Sequence, residues 1–172
     1  NNRRATAVHD DLYARALAIQ AGEKTIVLVA LDLIGFFRPD LQDVLQRLKT
    51  SEFFKNSEVS VVIASTHTHH GPDTMGLWGP DQKTCGVDEE YLADIKIKIA
   101  DVILASLSDP QPASVKWTSV HVPGLSANFR NPEIMDDELT LLQFVSRDNI
   151  STCVTLFNFP CHPEVLWTEN PN

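Results

Sequence analysis

The pattern of apolar and polar residues along the first part of the chain predicts three β-strands. Residues 25–34 form a short apolar run rich in β-branched side chains, which is typical of a strand buried on both faces. Residues 12–20 alternate more loosely, and residues 21–24 have the composition of a hairpin turn between these two segments. Residues 59–64 form another apolar run and predict the third strand.

Two segments carry the 3–4 spacing of apolar residues that predicts amphipathic helices. The first begins near Pro39, a residue suited to the first turn of a helix, and ends near Leu48. The second begins after Asp88, which is a good N-cap residue, and runs to about Leu107. Its predicted buried side chains are Leu92, Ile95, Ile99, Val102 and Ile103.

Further apolar runs predict strands at residues 115–122, 139–145 and 152–159. Strands that alternate with helices and are followed by a run of strands are typical of an α/β fold. We therefore expect a mixed β-sheet flanked by helices, in a single domain over residues 1–172. Ligands gather at the carboxyl ends of strands in such sheets, and the polar loops there would converge if their strands point the same way.

Three histidines, His67, His69 and His70, lie within four residues directly after the predicted strand at 59–64. Neutral imidazole is a common zinc ligand in proteins. Alternate residues of an extended chain share a face, so His67 and His69 should point one way and His70 the other, as a structural residue or a pocket wall. The pair predicts half of a metal site, or one ligand beside one substrate contact. The alternative is a loop whose histidines only cap backbone groups.

A fourth histidine, His162, follows the last predicted strand. Pro160 and Pro163 flank it, and because proline restricts the backbone they would preorganise its side chain. The alternative is a rigid turn that carries an exposed histidine.

Two charged residues are further candidates. Arg130 lies in a polar loop, where its guanidinium could hold an anionic group or stabilise an oxyanion near a metal, or could simply form a surface ion pair. Asp32 lies in an apolar run and needs a partner if it is buried. It could orient a zinc-bound histidine or cap a backbone turn at the end of its strand.

The three cysteines, Cys85, Cys153 and Cys161, are an odd number with no CxxC motif, which indicates neither a zinc ribbon nor a disulfide framework. Cys153 lies in an apolar run and is expected to be a buried thiol. Adjacent residues of an extended chain point apart, so a dyad of Cys161 and His162 is awkward, and we expect Cys161 to be a buried thiol as well.

Composition narrows the class of partner. The chain has 14 Lys and Arg residues against 23 Asp and Glu residues, a formal net charge of −9, which argues against nucleic acid because phosphate binding needs clustered basic residues. No apolar run approaches the ~18 residues that would indicate a transmembrane segment. A content of 43% hydrophobic and 22% charged residues is instead that of a soluble globular protein.

Several segments taken together resemble the N-terminal catalytic domain of the neutral/alkaline (non-lysosomal) ceramidases. They occur in the order of the family's motifs and span almost the whole chain. The THTH-x-GP core and the later CHP histidine are specific in combination, whereas either alone would be weak. The segments are HDDLYARA at 9–16, VALDL at 29–33, THTHHGP at 66–72, NFRNP at 128–132 and NFPCHP at 158–163.

The resemblance implies an N-terminal fragment of a larger catalytic domain that uses zinc to hydrolyse a linear amide, in N-acylsphingosine or a related lipid or small molecule. Carried over from the family, His67 and His162 would be zinc ligands, and His69 and Arg130 would lie beside the substrate and stabilise the oxyanion. The family's remaining glutamate and tyrosine ligands and its serine at the scissile amide have no match in this chain. We therefore expect the 172 residues alone to be inactive.

Two departures from the family suggest a divergent bacterial-type branch whose substrate need not be ceramide. His70 stands where ceramidases usually have a small residue, and residues 71–79 differ from the family's glycine-rich continuation. Two other functions stay open: a non-catalytic binding or structural module on the same fold, and a metal-dependent esterase or phosphoesterase. The resemblance also implies a secreted or periplasmic location and leaves peripheral contact with a membrane surface open. No feature of the sequence specifies an oligomeric state.

Overall fold

The computed structural model describes residues 6–81, 83–148 and 152–163. The described residues divide into two compact units: an N-terminal unit that extends to Pro110 and also includes Pro163, and a C-terminal unit, Gln111–His162. The elements in chain order are β1 (Ala14–Ala21), β2 (Lys24–Leu31), α1 (Arg38–Leu48), α2 (Glu52–Asn56), β3 (Glu58–Ser65), α3 (Glu89–Leu107), β4 (Ala113–His121), β5 (Glu138–Ser146) and β6 (Thr152–Asn158).

The N-terminal unit contains a mixed sheet in the order β1-β2-β3, in which β1 is antiparallel and β3 parallel to β2. The predicted hairpin is confirmed, since Ala21 pairs with Lys24 and Gly22 adopts a φ of 63°. Glycine takes this conformation at the first central position of a two-residue turn without steric cost. Helices α1 and α2 then connect β2 to the parallel strand β3. The predicted mixed sheet flanked by helices is confirmed.

The sheet of the N-terminal unit is buried on one face. Val27, Val29 and Leu31 on β2 are at most 3% exposed and belong to the same core as the buried residues of α1 and α3. Ile26 and Val62 on the opposite face are 37% and 51% exposed. The prediction that residues 25–34 are buried on both faces was therefore wrong, because the buried residues of both helices join the Val27 face.

Helix α3 forms as predicted. The Asp88 carboxylate accepts hydrogen bonds from the backbone N–H groups of Glu90 and Tyr91, both at 3.0 Å, and so satisfies donors that have no partner inside the helix. Leu92, Ile99 and Ile103 of the predicted stripe are buried, as is the unpredicted Ala100. The short helix α2 was missed because a five-residue helix is too brief to show apolar periodicity.

Lys96 links α3 to α1. Its ammonium group lies 2.8 Å from the Asp43 carboxylate and 3.3 Å from that of Asp40, and its side chain is 22% exposed. The hydrogen bond to Asp43 is the main cause that raises the pKa of Lys96 above its ordinary value. The pair of helices over the sheet is therefore joined by both apolar packing and charge.

The C-terminal unit is an antiparallel sheet in the order β4-β5-β6. Phe144 is 7% exposed and is the only buried hydrophobic side chain among the described residues of this unit. Cys153 and Cys161 are exposed, so the expectation of buried thiols was wrong. An apolar run indicates a strand, but it buries its side chains only where another layer covers the sheet, and the described residues of this unit contain no helix.

Among the described residues, no helix has both the length and the apolar character needed to traverse a bilayer.

Candidate metal and substrate site

The histidine loop begins where two parallel strands end. Leu31, the last residue of β2, is in register with Ser65, the last residue of β3. The backbone N–H of Thr66 donates to the carbonyl of Leu31 at 2.8 Å and extends this pairing by one residue. His67 therefore leaves the carboxyl-end edge of the sheet, where ligand sites form in α/β folds.

The backbone and ring of His67 are both held in defined positions. Its φ of 61° is the only positive value among the described non-glycine residues. This conformation costs about 1–2 kcal/mol for a residue with a Cβ atom, and such strain concentrates at functional sites. The ring Nδ1 lies 2.5 Å from the carbonyl oxygen of Ile34, directly beyond β2.

That contact decides which ring nitrogen of His67 can bind a metal. A carbonyl oxygen only accepts hydrogen bonds, so Nδ1 carries the proton and donates it to Ile34. In neutral imidazole the lone pair then belongs to Nε2. A histidine whose second nitrogen donates to a backbone carbonyl is the usual arrangement of a metal ligand. The donor atom at His67 therefore fits a metal ion.

His67 and His69 lie together, as predicted. Their ring centroids are 4.9 Å apart with the planes at 83°, and ring nitrogens of the two lie within 4.8 Å of each other. The reason differs from the one expected: the positive φ of His67 breaks the extended alternation, and the turn of the backbone brings the rings into contact. His70 is half-buried, and its N–H lies 3.4 Å from the Thr68 hydroxyl.

The loop after the histidines is organised by Asp73, which sequence reasoning missed. Its carboxylate accepts hydrogen bonds from the backbone N–H groups of Met75 and Gly76, both at 2.9 Å, and of Trp78 at 2.7 Å. Burial by itself would raise the pKa of Asp73, but these backbone hydrogen bonds hold it below its ordinary value. The available signal was an aspartate at the start of a glycine-containing loop, a pattern of side-chain-to-backbone turns.

Further contacts fix this loop against the strand ends. The hydroxyl of Thr74, which is 2% exposed, donates to the carbonyl of Gly35 at 2.7 Å. A Cβ atom at Gly86 would collide with the carbonyl of Trp78, and a Cβ atom at Gly79 would collide with that of Thr84. Only glycine allows these backbone approaches, so the segment is a packed wall rather than an open loop.

Trp78 closes this wall beside the histidines. Its indole ring lies with its centroid 6.0 Å from that of His69 at an interplanar angle of 64°, and the side chain is 51% exposed. The N-terminal unit thus presents two adjacent imidazoles and an exposed aromatic face.

In the C-terminal unit, Arg130 lies in a loop that Asn128 holds. The Asn128 side-chain oxygen accepts hydrogen bonds from the backbone N–H groups of Arg130 and Asn131, at 3.0 and 3.1 Å. Its amide nitrogen donates to the carbonyl of Ile134 at 2.9 Å. Arg130 is exposed and forms no ion pair within the described part of the chain, so the surface ion pair considered for it has no support there.

The topology of the C-terminal sheet places the Arg130 loop and His162 at one end. Strands β4 and β6 are both antiparallel to β5, so their carboxyl ends lie at the same end of the sheet. Arg130 follows β4, and His162, which is exposed, follows β6. His67 follows β3, a strand of the other sheet.

Asp32 caps backbone rather than orienting a histidine. One carboxylate oxygen accepts hydrogen bonds from the Tyr13 backbone N–H at 3.0 Å and from the Arg15 guanidinium at 2.9 Å. The orienting role is filled by the carbonyl of Ile34.

Comparison with known proteins reveals similarity in structure. No protein-family model matches the chain, and no curated protein matches it. A solved "Ceramidase complexed with C2" matches with a TM-score of 0.72 and 25% identity, covering 88% of this chain and 25% of that one. The neutral ceramidase from Pseudomonas aeruginosa matches with a TM-score of 0.71 and 25% identity, covering 86% of this chain and 25% of that one. These matches support a segment of the neutral ceramidase family.

The resemblance read from the sequence is thereby confirmed at the level of fold. The chain spans about a quarter of the length of the ceramidase structures that it matches. The chain carries His67 and His69 on one unit and Arg130 and His162 on the other. Its structure added the Ile34 carbonyl, Asp73 and Trp78 to the residues that the sequence had indicated.

Proposed function

We propose that this chain contributes to a zinc-dependent hydrolase that cleaves a linear amide bond in an N-acyl lipid, such as an N-acylsphingosine, or in a related amide. The observation that carries the proposal is the His67–His69 pair at the end of β3, with Nδ1 of His67 bound to the Ile34 carbonyl, in a fold similar to neutral ceramidases. The hydrolysis itself and the substrate class rest on that similarity.

The metal would be held by His67 and His162. The tautomer of His67 supports its assignment, because Nε2 has the lone pair and imidazole nitrogen is a preferred zinc ligand. His162 is assigned from the ceramidase motif that contains it. When bound, zinc supplies a Lewis acid that polarises the carbonyl group of the amide.

His69 and Arg130 would stabilise the charge that develops on the carbonyl oxygen during attack. The half-buried imidazole of His69 lies against that of His67, where a hydrogen bond is less weakened by water than at the surface. Arg130 supplies a planar, permanently charged guanidinium. Asn128 anchors its backbone, which reduces the entropy lost when the guanidinium engages substrate.

The same resemblance supports a secreted or periplasmic location and a small-molecule or lipid amide as partner. A lipid substrate would bring the protein to the surface of a membrane without a spanning segment.

The decisive experiment combines zinc titration with a substrate screen on the protein that carries this chain. His67→Ala should weaken zinc binding by more than about tenfold and abolish turnover, while the circular dichroism spectrum stays unchanged. His67→Gly is the matched variant, because glycine suits the φ of 61° and should be about 1 kcal/mol more stable than alanine there while binding zinc no better.

The screen offers N-acyl amides, carboxylic esters and phosphoesters. Cleavage of amides that is lost on zinc removal and restored by zinc supports the proposal. Tight zinc binding without cleavage of any compound would overturn it in favour of a binding module, and cleavage of esters or phosphoesters alone would favour the other hydrolase class. If both His67 variants unfold, the loop is structural instead. For the 172 residues alone we expect weak zinc binding and no turnover, and tight stoichiometric binding would refute the ligand assignment.

A further inference from the structure

We propose that Trp78 forms an apolar wall of the substrate site and packs against the hydrocarbon part of the amide substrate beside His69. This inference rests on the proposed function and adds a specificity-determining residue to it. The indole lies in ring contact with His69, the residue assigned to the reacting carbonyl, yet it keeps 51% of its surface exposed.

The exposure of Trp78 is built into the loop. Its backbone N–H donates to the Asp73 carboxylate at 2.7 Å, and its carbonyl lies against Gly86 so closely that no Cβ atom would fit there. Asp73 is itself 9% exposed and accepts two further backbone hydrogen bonds from the same loop. The backbone that carries the indole is therefore held in place, which lowers the entropy lost on binding a ligand.

The chemistry of this surface fits a hydrocarbon ligand. Leu77, the residue before Trp78, is 55% exposed, so this loop carries two consecutive large apolar residues in contact with solvent. An amide substrate has a polar group that requires the imidazoles and an attached hydrocarbon that gains by leaving water. Each methylene group transferred onto an apolar surface is worth roughly fourfold in affinity. Trp78 would thus couple the length of the hydrocarbon to binding.

The test measures KM and kcat for a series of N-acyl amides of increasing acyl length. In the unmodified protein, KM should fall by up to about fourfold per added methylene until the wall is covered. Trp78→Ala should flatten this dependence of KM on acyl length without changing zinc affinity, and Trp78→Phe should retain part of the dependence. The control is Trp117→Ala, which removes a 74% exposed indole from the C-terminal unit and should leave the series unchanged.

A second readout does not depend on turnover. The protein is labelled with fluorotryptophan and titrated with N-ethylhexanamide, and the fluorine NMR signal of Trp78, assigned from Trp78→Phe, should shift and saturate while that of Trp117 stays in place. Parallel shifts of both signals would mean general adsorption to apolar surface and would overturn the proposal, as would an unchanged chain-length series in Trp78→Ala. If the protein cleaves no amide but the Trp78 signal saturates, the proposed function fails and the apolar wall stands.

Discussion

The described residues of the two units form three strands each, but the two sheets bury their side chains very differently. The N-terminal sheet packs one face against α1 and α3 around a core that includes Val27, Leu48 and Ile99. In the C-terminal unit, Phe144 alone is buried among the described hydrophobic residues, and Trp117 is 74% exposed. The comparison shows that similar strand patterns in the sequence can give a well-covered sheet or an open one, depending on what packs against them.

The difference extends to how each unit holds its candidate functional residues. In the N-terminal unit, buried or half-buried groups far apart in sequence fix the histidine loop, such as the Ile34 carbonyl on His67 and the Gly35 carbonyl on Thr74. In the C-terminal unit, Asn128 holds Arg130 through neighbours within six residues. We therefore expect the histidine loop to depend on tertiary packing and the Arg130 loop to depend mainly on local hydrogen bonds.

The largest effect should come from the core of the N-terminal unit. Leu48 is fully buried, so Leu48→Ala should lower the free energy of unfolding by about 2–5 kcal/mol through lost burial and the cavity left behind. Leu125→Ala in the C-terminal unit is the control, since Leu125 is 64% exposed and should change stability little. Urea denaturation measures both, and similar losses in the two variants would remove the contrast between the units.

The second-largest effect on stability is expected at the Asp73 carboxylate. Asp73→Asn replaces one accepting oxygen by an NH2 group, which cannot accept from the Trp78 N–H. We expect the free energy of unfolding to fall by about 1–3 kcal/mol. Asp81→Asn is the matched control, because Asp81 accepts similar local hydrogen bonds in an exposed position and should matter little. An equal loss in the free energy of unfolding at both positions would show that burial of the loop adds nothing to the effect of the Asp73 hydrogen bonds.

The pH dependence of Asp73 has a definite sign. Its pKa in the folded protein lies below the ordinary value of 3.8, because backbone hydrogen bonds outweigh the effect of burial. The unfolded chain therefore binds the proton first, and the stabilisation is complete above pH 3.8 and lost as the pH falls through the folded pKa. Acid titration of unfolding should show a shallower loss in Asp73→Asn than in the unmodified protein.

A smaller effect is expected at Asn128. Asn128→Ala removes both acceptor and donor and should cost about 1 kcal/mol, with faster hydrogen exchange at the amides of Arg130 and Asn131. Asn128→Asp keeps the acceptor for these two amides and loses only the donation to Ile134, so its exchange rates should stay near those of the unmodified protein. Slow hydrogen exchange at both amides in Asn128→Ala would show that the Asn128 side chain is not what holds the loop.

The smallest effect concerns His121, at the end of β4. Its ring Nδ1 lies 2.6 Å from the Asp137 carboxylate, and this hydrogen bond raises the pKa of His121 above 6.5, with smaller contributions from Asp137, Glu138 and Asp136 charges. The stabilisation is full below pH 6.5 and is lost as the pH rises through the folded pKa. NMR titration should show the His121 pKa falling towards 6.5 in Asp137→Asn; an unchanged value would exclude this pair as its cause.

Much of the secondary structure could be predicted because its signals are local. The apolar run at 59–64 became β3, Asp88 capped α3, and the turn at Gly22 joined β1 to β2. The same local signals did not predict correctly which side chains are buried. Cys153 lies in a real strand yet is exposed, and Ile26 lies on an uncovered face, since periodicity shows which side chains share a face and not whether another layer packs on it.

The candidate site divides in the same way. The sequence by itself determined that His67 and His69 follow a strand, that Arg130 lies in a polar loop and that the motifs resemble those of ceramidases. Only the tertiary structure decided that Nδ1 of His67 donates to a carbonyl 33 residues earlier, and that the loop is tied by Thr74 to a carbonyl 39 residues earlier. A hydrogen bond depends on the position of both partners, and partners so distant in sequence meet only once the strands have paired and the helices have packed.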